Sequence, residues 1–352
     1  MKSIKLLILL ITSMAFVSCS DDEEPAPKPK GDYESGYFVT NEGPFQNGSG
    51  TITFVGDDGD VQQEVYKIVN GENLGNIVNS MYIDGEKGYI VVNNSSLIVV
   101  VDRNTMEKLG VIEGNGINNP RHFIVAEGKG FVSNWGDPND PSDDFIAVVD
   151  LDINEVRATI PVGEGPEHML ATPQGLLVAL EGGFNFNDQV LMIDPSSNQV
   201  IETIEVGDVP NSMQADGSGN VWVLCAGKPF YADVETPGTL HKIQLSDTST
   251  SFQEFDLNTD HPSLLNFDAG QLYYHLNGQV FRMSPGATEF PSEGLPGLDG
   301  FYYSMTVANG ELYGTDAGDF ASEGTIKVFN ANSGALLNTL AAGIIPGQVV
   351  IP

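Results

Sequence analysis

Basic residues are scarce in this sequence: 15 lysines and arginines stand against 48 aspartates and glutamates, a formal net charge of −33 over 352 residues. A field of that sign repels nucleic acid and anionic membrane surfaces, so nucleic-acid binding is set aside. Its plainest role is to keep an exposed surface soluble and unaggregated. Cysteine is nearly absent too. Cys19 ends an N-terminal apolar stretch and Cys225 closes the strand-like run Trp222-Val223-Leu224-Cys225, which leaves no disulfide framework and makes Cys225 a small buried strand residue. The apolar stretch Leu6 to Val17 is too short to span a bilayer, and no amphipathic helix of ordinary length is visible. There is no nucleophile elbow, no metal quartet and no phosphate loop.

What is present is a repeat. Val162-Gly163-Glu164-Gly165-Pro166-Glu167-His168-Met169 leaves a strand, turns through Gly and Pro and enters a new apolar run; Asn119 to Phe123 and Val206 to Met213 do the same. Weaker copies anchor on Met81, Leu264, Met305 and Val349, and the anchors at 81, 123, 169, 213, 264, 305 and 349 are 42, 46, 44, 51, 41 and 44 residues apart. A period in the forties with four strand-like runs per unit is the pattern of propeller blades. The expected fold is therefore all-β, a seven-bladed propeller over residues 36–352. Its first blade lacks a strand: Gly36 to Asn41, Gly50 to Val55 and Val61 to Tyr66 give three runs, and Gly347 to Pro352 has the character of an innermost strand with no blade after it. Pairing of these N- and C-terminal strands closes the ring and removes two sheet edges. The blade near residues 263–300 is the least regular. Third strands end in aspartate (Asp102, Asp150, Asp194), a residue suited to holding the following turn.

The N-terminus, basic at Lys2 and Lys5, apolar from Leu6 to Val17 and ending Ser18-Cys19, resembles a bacterial lipoprotein signal over residues 1–18. The resemblance implies a lipid-bearing Cys19 as the mature N-terminus. Ser20-Asp21-Asp22-Glu23-Glu24 resembles the acidic tag that sends lipoproteins of Bacteroidota-type bacteria to the outer face of the outer membrane. Residues 19–35 then form an acidic, proline-rich tether, and the membrane is met through the lipid alone.

Second strands ending in Phe38-Val39-Thr40-Asn41, Ile90-Val91-Val92-Asn93 and Phe131-Val132-Ser133-Asn134 resemble the Tyr-Val-Thr-Asn repeat of surface-layer-type seven-bladed propellers, a likeness covering nearly all of residues 36–351. In length, signal, acidic tag and repeat style the chain is similar to Bacteroidota surface propellers that capture cobalamin (vitamin B12) for an outer-membrane TonB-dependent transporter. That resemblance implies a monomeric binding protein apart from its transporter complex, without metal or cofactor.

In a four-stranded blade the turn into the innermost strand and the turn between strands two and three share one rim of the ring, so these turns build the ligand face. They supply Asn41, Asn79, Asn93, Arg121, His122, Asn134, Trp135, Glu167, His168, Phe184, Asn211, Tyr231, His275 and Tyr302 as candidate ligand contacts, with Glu42, Glu181, Phe186 and Gln348 on the same rim. The loops Asn134 to Asp144, Glu181 to Asn187 and Cys225 to Pro237 are longer than a closing turn requires, and long loops on a rigid scaffold are where binding resides. Each candidate has a structural alternative. A His repeated at 122 and 168 more often hydrogen-bonds a seam than serves as ligand or base, and the acidic run Asp137 to Asp144 lacks the glycine and terminal glutamate of a calcium loop. Turns of the opposite rim, such as Asp57 to Asp60 and Pro195 to Asn198, are explained by turn geometry. Two other functions remain open: a propeller lyase or lactonase with His122 or His168 as base and Glu167 or Glu181 as partner, and a scaffold for a protein or glycan.

Overall fold

The computed structural model describes residues 30–45, 48–137 and 139–352; the signal peptide, Cys19 and most of the tether lie outside them. Seven antiparallel sheets stand around a central axis. Blade one runs Val78–Asp84, Lys87–Val92, Leu97–Asp102 and Lys108–Glu113 from the axis outward, and blades two, three, four and six repeat that order. Blade five, the irregular one, has three strands among the described residues: Ser263–Asp268, Gln271–Leu276 and Gln279–Met283.

Blade seven is shared between the chain ends. Pro346–Val350 is its innermost strand and pairs antiparallel with Gly36–Asn41, Val350 opposite Phe38 and Val349 opposite Val39. Thr51–Gly56 and Val61–Gln62 follow outward. The Gln348 side chain accepts the Met81 amide at 2.9 Å and Thr306 Oγ1 donates to the Val349 carbonyl at 3.0 Å, so the closing strand is tied to both neighbouring blades.

The second strands show why the core is divided among the blades. In Gly175–Leu180 every residue is buried, because each face of the sheet meets a neighbour. Leu176, Val178 and Leu180 pack with Ile146 and Val148 of blade two, while Leu177 and Ala179 pack with Val221 and Val223 of blade four. A strand covered on both faces reads as a continuous apolar run instead of an alternation. Outermost strands such as Gln199–Glu205 are mostly exposed. The third-strand aspartates hold their turns as expected: Asp102 Oδ1 accepts the amides of Asn104 and Thr105, and Asp194 those of Ser196 and Ser197.

Two local expectations are corrected. Val61 to Tyr66 is not one strand; pairing stops at Gln62, and Val65–Asn70 is a single helical segment ended by Gly71 at φ 71°. Its Val65 and Tyr66 are buried while Asn70 bridges the carbonyls of Tyr66 and Met106, contacts from distant sequence that no local period encodes. The fold also begins before Gly36: Tyr33 is buried edge-on against Phe54 at 5.1 Å and donates its amide to Asn104.

Candidate functional site

The seam that repeats in sequence is a repeated backbone device. The residue just before the innermost strand is left-handed in five blades: Ile77 (φ 61°), Asn119 (53°), Gly165 (73°), Val209 (60°) and Ile345 (54°). Three of these are β-branched, for which a positive φ is strained. The strain is held by a recurring hydrogen bond, in which the left-handed residue's carbonyl accepts the amide of the residue just past the second strand, namely Asn93, Trp135, Glu181, Ala226 and Glu42. Immediately afterwards most innermost strands carry a β-bulge. Arg121 and His122 together face Ser133, and Glu167 and His168 together face Ala179. A bulge re-aims side chains, and here it brings blades two and three together at the channel mouth.

Arg121 holds both oxygens of Glu167, Nε to Oε2 at 2.9 Å and Nη2 to Oε1 at 3.0 Å. Its guanidinium lies 4.2 Å over the Trp135 ring, whose Nε1 donates to the Pro166 carbonyl at 3.1 Å. His122 Nε2 meets Glu167 Oε1 at 3.2 Å, and the His122 and His168 rings stack at 4.7 Å. Side-chain exposure is 21% for Arg121 and 8% for Glu167, so this ion pair is enclosed yet touched by water. Burial alone would raise the Glu167 carboxyl; the Arg121 charge and the His122 hydrogen bond outweigh it and hold the group far below the usual carboxylate range. Burial, with the His122 and Arg121 charges, pushes His168 down to about 4, so its imidazole is neutral at pH 7. At Glu181, just past the second strand of blade three, burial together with the Glu167 charge pushes the carboxyl up to about 8. Across the mouth, Tyr303 donates to Glu42 at 2.6 Å.

Above the mouth the loops form an aromatic crown. Phe184 meets Trp135 edge-on at 5.9 Å, Phe186 lies 6.1 Å from Tyr231, and Phe230 meets Tyr231 at 5.4 Å. Phe45, Phe184, Phe230, Tyr231, Phe301 and Phe320 are each half exposed or more. All six sit on loops of this rim, and the one comparably exposed aromatic elsewhere among the described residues is Phe252, on the outermost strand of blade four. The loop carrying Phe230 and Tyr231 is pinned at its base: Lys228 and Thr236 both bind Asp208, and His261 contacts the Ala226 carbonyl at 2.8 Å and Glu235 at 3.2 Å. Aromatic tips on a braced loop lose little freedom on binding. A far-rim concavity of about 730 Å³ is lined by Tyr33, Phe54 and the turn carboxylates Asp57, Asp58 and Asp60, and the crown lies on the other rim.

The fourteen sequence candidates divide accordingly. Arg121, His122, Trp135, Glu167 and His168 come together in the mouth, and Phe184 and Tyr231 stand on the crown. The others are placed within the scaffold. Asn41 is fully buried, donating to Thr53 Oγ1 at 3.0 Å and accepting the Gly343 amide at 2.9 Å; Asn134 is buried and bonds Val132 and Asn118. Asn93 binds Asn119 and Pro120, while Asn79 and Asn211 donate to the carbonyls of Arg121 and Pro262 on the next blades. His275 is buried against the Gly300 carbonyl at 2.9 Å. Tyr302 is buried in the core of blades five and six, and the tyrosine that reaches the mouth is its neighbour Tyr303. This one-residue offset is not visible in the Tyr302-Tyr303 pair, which precedes the strand Ser304–Ala308, so no strand alternation tells the two rings apart. The aligned positions past the second strands point to Glu42 and Glu181, which belong to the mouth as much as Glu167 does. Among the described residues no group of three His, Cys, Asp or Glu side chains is placed to hold a metal ion. Burial pushes the Cys225 thiol up to about 12.

Residues 35–287 match a protein-family model described as "Domain of unknown function (DUF5074)", and the chain belongs to that family. No curated protein matches the sequence. Solved structures share the fold at low identity. A hypothetical selenium-binding protein from Sulfolobus tokodaii is 12% identical with a TM-score of 0.65, over 89% of this chain and 92% of that one. A functionally unknown protein from Desulfotomaculum acetoxidans is 13% identical at 0.62, over 90% and 99%. BamB from Moraxella catarrhalis is 13% identical at 0.54, over 88% and 83%. The protein is thus a seven-bladed β-propeller.

Proposed function

We propose that this protein is a lipid-anchored surface propeller that captures cobalamin on its aromatic rim and delivers it to an outer-membrane TonB-dependent transporter. The observation that carries the reading is the confinement of the exposed aromatic loops to one rim, around a mouth of hydrogen-bonding groups. Exposed aromatics have no core to fill, and a set of them on one face marks a binding surface. Flat aromatic faces suit the apolar faces of a corrin ring, and the amide fringe of the ligand suits Glu42, Glu181 and the free Nη1 edge of Arg121, which has no partner among the described residues. A non-catalytic role is part of the proposal: burial holds His168 at about 4, which makes it a weak base at pH 7.

The test is a calorimetric titration of the purified protein with cobalamin, with haem and a flavin as flat-ring controls. Saturable one-to-one binding of cobalamin alone supports the reading. Failure to bind cobalamin, or equal binding of all three, removes the ligand assignment.

A further inference from the structure

Turn geometry accounts for only part of the far-rim concavity of about 730 Å³. Asp32, Asp57, Asp58 and Asp60 line it, and no lysine, arginine or histidine does. Asp58 serves its own turn, where Oδ1 accepts the Asp60 amide at 3.1 Å. The carboxyl groups of Asp32, Asp57 and Asp60 have neither a hydrogen-bond donor nor an ion pair among the described residues. Lys30, two residues before Asp32, is turned to Glu86 at 2.6 Å instead. The same third-to-fourth-strand turn in blades two and three shows what an acid does when it only holds a turn. Asp150 accepts the Asp152 amide and lies against Arg157 at 3.5 Å, and Asp194 accepts the amides of Ser196 and Ser197.

The concavity also has an aromatic side. Tyr33 and Phe54, 4% and 6% exposed, both line it, with their rings edge-on at 5.1 Å. The Tyr33 hydroxyl has no hydrogen-bond partner among the described residues and is not sealed within the protein. Burial and the Asp32 charge both push that hydroxyl up from the usual tyrosine range, which puts it beside the Asp32 carboxylate. A ring buried this far, whose hydroxyl is left unpartnered at a cavity, presents an acceptor to whatever enters.

We infer that this concavity is a second binding site, for a linear aliphatic oligoamine whose ammonium groups meet Asp32, Asp57, Asp60 and the Tyr33 hydroxyl while its methylenes lie on Tyr33 and Phe54. Ammonium groups donate strongly to carboxylates and are attracted to aromatic rings. No group of three His, Cys, Asp or Glu side chains converges as a metal site among the described residues, so the charges suit several separated cationic groups rather than one ion. The volume falls within the range of small-molecule pockets, roughly 300–1,000 Å³. The site lies on the rim opposite the crown and stands whether or not the crown takes cobalamin.

Spermidine is the probe, titrated calorimetrically into the purified protein at pH 7 in about 0.15 M NaCl, which screens diffuse attraction to a chain of net charge −33. Wild type should take up one equivalent saturably. Asp57→Asn together with Asp60→Asn should weaken binding about tenfold or more, and Tyr33→Phe, which keeps the buried ring, about threefold. Glu202→Gln together with Glu254→Gln removes two exposed carboxylates from the outermost strands of blades three and four and should leave affinity unchanged, as should Phe184→Ala on the crown. n-Butylamine, with one charge, should bind about tenfold more weakly than spermidine. Melting curves establish that each variant is folded. No saturable binding by wild type, equal losses in the two charge-matched double variants, full affinity in Tyr33→Phe, or equally tight binding of butylamine would each overturn the inference.

Discussion

Replacing Arg121 with Met tests whether the mouth is a structural clamp as well as a binding surface. The substitution keeps the apolar stem and removes the two hydrogen bonds at 2.9 and 3.0 Å that hold Glu167. Glu167, 8% exposed in its side chain, is then left inside the ring with only His122 beside it. Breaking a buried pair from one side costs roughly 3–5 kcal/mol, and the lost stacking on Trp135 adds about 1 kcal/mol. The opening to water reduces both, so we predict a net loss of about 3 kcal/mol. With a urea dependence of about 3 kcal/mol/M for a domain of this size, the midpoint should fall by roughly 1 M. Adding Glu167→Gln to the same protein should restore about half of the loss or more, because the stranded charge is what destabilises it. Urea titrations followed by tryptophan fluorescence and circular dichroism at pH 7 give the three midpoints. A single variant within about 0.3 M of wild type, or a double variant no better than the single, would refute the argument.

Deleting Pro346 to Pro352 should destabilise the whole ring far more than removing seven tether residues, since Phe38 and Val39 lose their partner strand; equal melting curves for the two truncations would contradict strand-shared closure. Glu181 has a folded-state value of about 8, above its unfolded value, so its contribution to stability is full below about pH 4.5 and is lost as pH rises through 8. Melting temperatures of wild type should therefore fall relative to Glu181→Gln between pH 6 and 9, and parallel profiles would count against the assigned environment of Glu181. Cys19→Ala should release the folded protein into the soluble fraction when its partner proteins are absent, and retention in the outer membrane would refute the lipid anchor.

The repeat period made the blade number and the shared closing blade legible in the sequence, because every blade needs the same Gly/Pro turn and the same doubly buried second strand. Aligning the seams also brought Arg121, His122, Glu167 and His168 to one place. What the alignment does not encode is the difference between a polar residue that ties blades together and one that faces the channel. Asn41 and Asn134 end their strands just before Glu42 and Trp135, where one residue separates a scaffold group from a mouth group, and Asn93, which stands at the position of Glu42 and Trp135, still binds Asn119 and Pro120 within the scaffold. Tyr302 and Tyr303 differ in the same way. Trp135, a candidate ligand contact in the sequence, stacks on Arg121 and bonds Pro166, which makes it part of the clamp and leaves Phe184 and Tyr231 as the cleaner probes of binding.

Those probes give the most direct measurement of the central claim, that the aromatic rim is the cobalamin-binding face. Phe184→Ala, Tyr231→Ala and Phe252→Ala remove aromatic rings of similar exposure, two from the crown and one from the outer edge of blade four. Calorimetry with cobalamin should show each crown variant about tenfold weaker or more, a loss of about 1.4 kcal/mol each, with Phe252→Ala unchanged and all three melting with wild type. Binding that survives both crown changes, or that falls equally with Phe252→Ala, would contradict it.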